Sequence, residues 1–301
     1  MKNLKVTICM LMVFVTTSVA QNPFVTKADI IEDFNLSPNE EMIVYREFPA
    51  EGLPNISIKN IQEGEITTIT HTDLKNPSAS ELFSGADFLS DGVVVLCKDN
   101  YMVSFDMNEN KSKQLFKLPD NIIILRFIKA SNDGKGIYFA GGDKVYHASM
   151  KDGIVAETDK CKFDETIMSL TVDKHNRAFY TTTARKVYCF DGLNKEKDVT
   201  SEISKLVAAP YLIEAGHDDN SFIVAGKDAI FKIDLSSGKS VKLMDNNHEN
   251  RLYIMRLSPD GKALYYNTLY EKRKIRKLEI VDNQTSDSDA QDNVVLDISN
   301  K

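Results

Sequence analysis

The chain has 301 residues, 42% of them hydrophobic and 27% charged, which is ordinary for a globular protein. Its formal net charge of −7 argues against nucleic acid or an anionic membrane surface as the main partner. A chain this long fits either two domains or one large all-β unit, so internal repeats have to decide.

The N-terminus reads as an export signal. Lys2 and Lys5 precede an apolar run over residues 6–15, and Ser18-Val19-Ala20 places small residues where a signal peptidase reads them. That run is shorter than the ~18–20 residues a membrane span needs, and no later stretch is long and apolar enough. The expectation is a leader over residues 1–20, a single domain over residues 21–301, no membrane span, and an exported chain, periplasmic or secreted. Cys97, Cys161 and Cys189 remain after cleavage, and an odd number cannot all pair within one chain. Their scatter matches no Cys-x-x-Cys metal or redox site, so they read as small buried residues, with a Cys161–Cys189 bridge left open.

From there the chain repeats. Leu257-Ser258-Pro259-Asp260-Gly261-Lys262 followed by Ala263-Leu264-Tyr265-Tyr266 is a strand end, a tight turn and a second strand. Pro259 presets φ, Ser258 and Asp260 can bond the turn backbone, and Gly261 tolerates positive φ. Weaker copies lie upstream at Ser37-Pro38-Asn39-Glu40, Ser90-Asp91-Gly92, Ser131-Asn132-Asp133-Gly134, Asp173-Lys174-His175-Asn176 and His217-Asp218-Asp219-Asn220. Apart from a longer first interval, the period is about 42 residues, the length of a four-stranded propeller blade. A short β-branched and aromatic strand follows at residues 101–106, 144–149, 186–191 and 229–234, each closed by a polar turn. In the first and last repeats it comes later, at residues 55–59 and 275–280.

Each repeat therefore predicts four strands; in the third they are residues 123–130, 136–140, 144–149 and 154–158. A lone sheet of this kind cannot bury both faces, whereas blades packed around an axis can. The fold class is all-β, a six-bladed β-propeller, with seven blades the less favoured count and almost no helix. Residues 293–299 are expected to supply the last blade's outer strand, in preference to residues 24–30. The Ser/Asp/Gln-rich segment 283–292 is expected to be the least ordered.

The last repeat, with Lys277-Leu278-Glu279-Ile280 after its Leu-Tyr-Tyr strand, resembles a TolB-type repeat of the WD-repeat-like propeller superfamily. Phe231-Lys232-Ile233-Asp234-Leu235-Ser236-Ser237-Gly238 is similar to the second half of that repeat. The resemblance spans residues 30–299, but repeats four and five lack Ser-Pro-Asp-Gly, and the absence of Trp removes the Trp-Asp dipeptide. It implies a fold and no catalytic residue, because the family holds binding modules, scaffolds and peptidase propellers.

No chemical motif survives inspection. There is no Gly-x-Ser-x-Gly elbow and no phosphate loop, and the five histidines show no ligand spacing. His175 and His217, in equivalent turns, read as solvated. No catalytic residue, metal or cofactor is expected. The loops between second and third strands share one face of a propeller and carry charge, mostly basic, on an acidic chain. Asp99, Asp143, Arg185, Lys227, Asp228 and Lys272 are therefore the candidate binding face for a protein or small ligand. The expectation is a monomeric, non-enzymatic binding or scaffold propeller. The rival is an enzyme in the central channel, a metal-dependent lactonase-like hydrolase or a lyase, drawing on Glu32, Asp87, Asp164, Glu165 and Glu214.

Overall fold

The structure is a computed structural model. It describes residues 30–48, 54–69, 83–120, 122, 125–141, 143–158, 165–193, 195–247, 251–280 and 293–298. The expected leader over residues 1–20, residues 24–29, the segment 283–292, Cys161 and Asp164 lie outside the described residues.

Six antiparallel four-stranded sheets follow one another along the chain. Blade 1 is β1 (Ile30–Leu36), β2 (Met42–Phe48), β3 (Asn55–Asn60) and β4 (Ile66–Ile69). Blade 2 is β5 (Phe83–Ser90), β6 (Val93–Lys98), β7 (Tyr101–Asp106) and β8 (Lys111–Lys117); blade 3 is β9 (Leu125–Ala130), β10 (Gly136–Gly141), β11 (Lys144–Ser149) and β12 (Gly153–Glu157). Blade 4 is β13 (Ile167–Val172), β14 (Ala178–Thr182), β15 (Val187–Phe190) and β16 (Glu196–Asp198), and a short helix α1 (Thr200–Ser204) leads out of it. Blade 5 is β17 (Leu212–Ala215), β18 (Ser221–Ala225), β19 (Ala229–Asp234) and β20 (Lys239–Asp245); blade 6 is β21 (Leu252–Leu257), β22 (Ala263–Thr268), β23 (Lys274–Glu279) and β24 (Asn293–Asp297). This is a six-bladed β-propeller, as the repeat period predicts.

The turn chemistry explains the repeat. In blades 1, 3 and 6 a serine hydroxyl donates to an Asx side chain and accepts the N–H that opens the second strand. The pairs are Ser37 with Asn39 and Met42, Ser131 with Asp133 and Gly136, and Ser258 with Asp260 and Ala263, all at 2.6–2.9 Å. In blade 4 Asp173 replaces the serine and accepts both His175 N–H and Arg177 N–H. The residue closing the turn needs a left-handed conformation, and Gly261 (φ 75°) and Asn176 (φ 58°) both adopt it.

The blades hold together through six apolar clusters, each between neighbours. Val44, Ile56 and Val94 join blades 1 and 2, and Val95, Ile128 and Phe139 join 2 and 3. Tyr138, Leu170 and Tyr180 join 3 and 4, Phe179, Val187 and Phe222 join 4 and 5, and Ile223, Leu264 and Tyr266 join 5 and 6. Because it is covered on both faces, every residue of β10, β14, β18 and β22 is buried. The sixth cluster, Phe34, Tyr45, Tyr265 and Leu296, packs blade 6 on blade 1 and closes the ring. Blade 6 takes its outer strand from its own C-terminal segment, as expected, and Lys59 Nζ donates to Val295 O across the seam at 2.9 Å. Tyr265 Oη adds a 2.6 Å bond to Glu40 across the same seam.

Candidate functional site

The first strand of each blade lines the axis, where no neighbouring sheet covers it. Just before the turn in five blades stands a polar side chain that interrupts an apolar strand: Asn35, Lys129, Thr171 and Arg256 two residues ahead of it, and Glu214 three ahead of His217. In blade 2 the same place would fall on Phe88, but a register shift between Phe88 and Ser90 leaves Asp87 on the axis instead. Asp33 sits one pleat deeper on β1. These residues form one ring of charge at the centre of the propeller.

Arg256 is its hub. Its Nη2 donates to Asp33 Oδ1 at 2.7 Å, its Nη1 to Glu214 Oε1 at 2.8 Å, and its Nε to Asn35 Oδ1 at 2.7 Å and Phe34 O at 2.9 Å. Arg256 and Asp33 are 3% exposed and Glu214 is 5% exposed, so one guanidinium ties blades 1, 5 and 6 together in a dry setting. Lys129 Nζ donates to the same Asn35 Oδ1 at 2.7 Å and lies 4.0 Å from Glu214 Oε1. Asn35 in turn donates to Ala86 O at 2.6 Å, and Thr171 Oγ1 reaches Glu214 Oε2 at 3.3 Å. Asp87 has no side-chain cation within bonding reach among the described residues; its two oxygens accept the N–H groups of Phe88 and Ala130 at 2.9 and 2.8 Å. Asp33 Oδ2 is buried without a hydrogen-bond partner.

Three carboxylates therefore face two cations. Burial resists the excess charge and pushes the Asp87 carboxyl up to about 6, against the pull of Lys129 and the two backbone donors. Burial likewise raises Asp33, with Arg256 opposing, and lowers Lys129. The cations Lys129 and Arg256 stand between the acids, which is the wrong arrangement for holding a metal. No group of three or more His, Cys, Asp or Glu with metal-holding geometry exists among the described residues.

Above the ring lies a cavity of about 530 Å³, within the range of small-molecule sites. Its floor is Asn35, Asp87, Lys129, Thr171, Glu214 and Arg256, and its mouth is formed by the first turns, with Pro38, Ser131, Lys174, His217 and Pro259. Below the ring, Phe127, Met168, Leu212 and Ile254 leave no space for a water molecule. The cavity is thus a polar cup with an apolar base.

The residues expected from sequence fall in two groups. Asp99, Asp143, Arg185, Lys227, Asp228 and Lys272 occupy the turns between second and third strands, at the end of the ring away from this cavity, and none lines it. Asp99 and Arg185 hold left-handed conformations there, and Lys272 Nζ sits 3.9 Å from the centre of the Tyr253 ring. Of the enzyme-type candidates, Asp87 and Glu214 do meet on the axis, whereas Glu32 pairs with Arg46 at 2.7 Å and Glu165 accepts from Thr182. His175 pairs with Asp219 of the next blade, and His217 borders the cup. The thiols of Cys97 and Cys189 are free. The reading of the sequence missed Asp33, Asn35, Lys129, Thr171 and Arg256. For Asn35, Lys129, Thr171 and Arg256 the signal was the two-residue offset before the turn, and Asp33 lies outside it.

No protein-family model matches the chain, and no curated protein matches it by sequence. Solved structures do match its fold. One is a catalytically inactive variant of virginiamycin B lyase from Staphylococcus aureus with quinupristin, superposing with a TM-score of 0.59 at 16% identity over 92% of this chain and 87% of that one. Another is Hsv2 from Kluyvelomyces marxianus, at TM-score 0.54 and 10% identity, over 86% of this chain and 75% of that one. At these identities the likeness establishes the propeller and nothing finer, and the TolB-type resemblance stays a resemblance of repeats.

Two outcomes test the ring. Arg256→Met strands Asp33 and Glu214 and should cost about 3–5 kcal/mol in urea denaturation, with Asp33→Asn plus Glu214→Gln recovering part of the loss. An unchanged midpoint would show that the hub does not carry that charge balance. Asp87 tests pH linkage. Its folded-state pKa lies above the ordinary 3.8, so its contribution to stability is complete below about pH 4 and lost as pH rises through about 6. The stability of Asp87→Asn relative to the parent should therefore improve by up to about 3 kcal/mol between pH 4 and pH 7.5, read from urea melts at each pH.

Proposed function

We propose that this chain is an exported, non-enzymatic binding propeller that takes a small polar ligand into the axial cup. The observation that carries the reading is the convergence of Asp87, Lys129 and Glu214 on the floor of a cavity of about 530 Å³ that is closed below by apolar side chains. Lys129 uses one of its donors on Asn35, and its ammonium presents the others to an anionic or strongly accepting group. Each Asp87 oxygen accepts one backbone N–H and retains lone-pair capacity for a ligand donor. A ligand with an acceptor at one end and a donor at the other, such as an amino acid or a hydroxy acid, meets both.

The test is ligand-detected NMR against a panel of amino acids, hydroxy acids and sugar acids. A panel member should bind saturably and lose at least about tenfold in affinity in Lys129→Met, the worth of one hydrogen bond to a charged group. No binder, or equal binding by Lys129→Met, would remove the cup as the site.

One observation favours a second reading. A carboxyl poised near 6 inside a cavity suits proton transfer, and a lyase shares this fold. In that case Asp87 is the acid–base residue of a lyase-type reaction, and the ligand would be converted on prolonged incubation with the parent and left intact by Asp87→Asn. Recovery of unchanged ligand from both supports binding alone.

Export rests on Lys2, Lys5, the apolar run at residues 6–15 and Ser18-Val19-Ala20. Mass spectrometry of the protein recovered after expression with its own leader should find a chain beginning at Gln21; an intact N-terminus would overturn that reading.

A further inference from the structure

At the opposite end of the ring from the cup, two guanidinium groups share one aromatic ring. Arg185, in the turn between β14 and β15, has its guanidinium carbon 5.0 Å from the centre of the Tyr211 ring. Arg251, at the entry to β21, lies 5.4 Å from the same centre. The two cations thus come from blades 4 and 6 and meet over a tyrosine of blade 5. Tyr211 is buried and fixed, its hydroxyl donating to Asn246 Oδ1 at 3.0 Å and Leu252 O at 3.3 Å. Lys227 is held near by its own N–H, which donates to Ala208 O at 3.1 Å in the segment leading into Tyr211.

What this cluster lacks, among the described residues, is a paired carboxylate. Among the described residues no carboxylate pairs with Arg185, Arg251 or Lys227, although acids outnumber bases in the chain by 44 to 37. The other arginines with a described ion pair, Arg46, Arg177, Arg256 and Arg276, each have a carboxylate within 2.8 Å. Burial and the neighbouring Arg251 both lower the Arg185 pKa, Tyr211 opposes them, and no carboxylate enters that balance. The Tyr211 ring offsets part of the repulsion through its negative face, at a scale of about 0.5–1 kcal/mol per cation at exposed sites. Two guanidinium forks beside one buried aromatic ring offer donors suited to bidentate oxygen ligands.

We infer that Arg185 and Arg251, seated on Tyr211, form an oxyanion site that takes a phosphate or carboxylate group. The site is separate from the axial cup and does not depend on what the cup binds. Of the six charged residues that the sequence alone places on this face, it selects Arg185, with Lys227 as a flanking cation, and adds Arg251 from the next blade junction.

The experiment is isothermal titration of the full chain with inorganic phosphate and, separately, with succinate, against sodium chloride at equal ionic strength. Saturable binding of either anion is expected, with at least about tenfold weaker binding in Arg185→Gln and in Arg251→Gln, the loss of one charge-assisted contact. Arg177→Gln, which breaks the pair with Asp173, should leave that affinity unchanged. Tighter binding of phosphate identifies a phosphate-bearing ligand, and tighter binding of succinate a carboxylate. The inference falls if neither anion binds beyond chloride, or if the Arg251→Gln protein binds as the parent does. Arg251 is exposed, so its replacement leaves the fold intact and keeps that second result decisive.

Discussion

A four-stranded sheet whose second strand is apolar on both faces has to be sandwiched, and everything else in this molecule follows from that requirement. β10, β14, β18 and β22 are buried along their whole length, and β2 and β6 are buried at all but their ends, so an open face would expose apolar surface in any blade. Each blade therefore needs two neighbours, and only a closed ring gives all six the same environment. The sixth apolar cluster, with Phe34 and Tyr45 of blade 1 against Tyr265 and Leu296 of blade 6, is of the same kind as the other five. Closure here relies on side-chain packing and a few cross-seam bonds, since blade 6 draws all four strands from its own sequence.

Closing the ring creates an axis that no sheet covers. Only first-strand side chains reach it, and at its centre they are polar. A buried charge is costly unless neutralised, and Arg256 supplies the neutralisation by engaging Asp33 and Glu214 together. Apolar residues in their place would be expected to hold the blades at least as firmly, as replacements of buried ion networks have often done. The ring is better understood as a site than as a brace. It leaves Asp87 without a bonded cation and Lys129 with unused donors, both on the floor of an open cup.

The sequence made the fold legible because turns have strict local chemistry. The closing residues Glu40, Gly134, Asn176, Asn220 and Gly261 all have positive φ, so a one-residue constraint announces five of the six blades, and Gly92 closes the turn of blade 2 without it. The outer strand of blade 6 was readable for the same reason, as an apolar segment after a polar one. The site was harder, because its residues are close only in space. Asp87 and Glu214 could be suspected as acids near strand ends, but nothing local tells that Arg256 lies between Glu214 and Asp33, residues separated by most of the chain. The polar offset before the turn was visible in four blades, but blade 5 sets Glu214 one residue further back and in blade 2 the irregular pairing near Ser90 breaks it. Arg185 was legible as a charge in a tight turn. Its partnership with Arg251 was not, because Tyr211, which joins them, reads in the sequence as one more core aromatic.

The two ends of the ring are consequently unlike, although the same repeat builds both. At the cup end the turns of blades 1, 3 and 6 tie a serine hydroxyl to an Asx side chain and to the N–H that opens the second strand, as Ser131 and Ser258 do. In blade 4 the same turn brings Lys174 to the mouth of the cup. At the other end the turns carry charge, with left-handed conformations at Arg185 and Asp99 and Lys272 seated over Tyr253. The second face makes no use of the axis, and it places Arg185 and Arg251 beside one tyrosine with no carboxylate paired to either among the described residues.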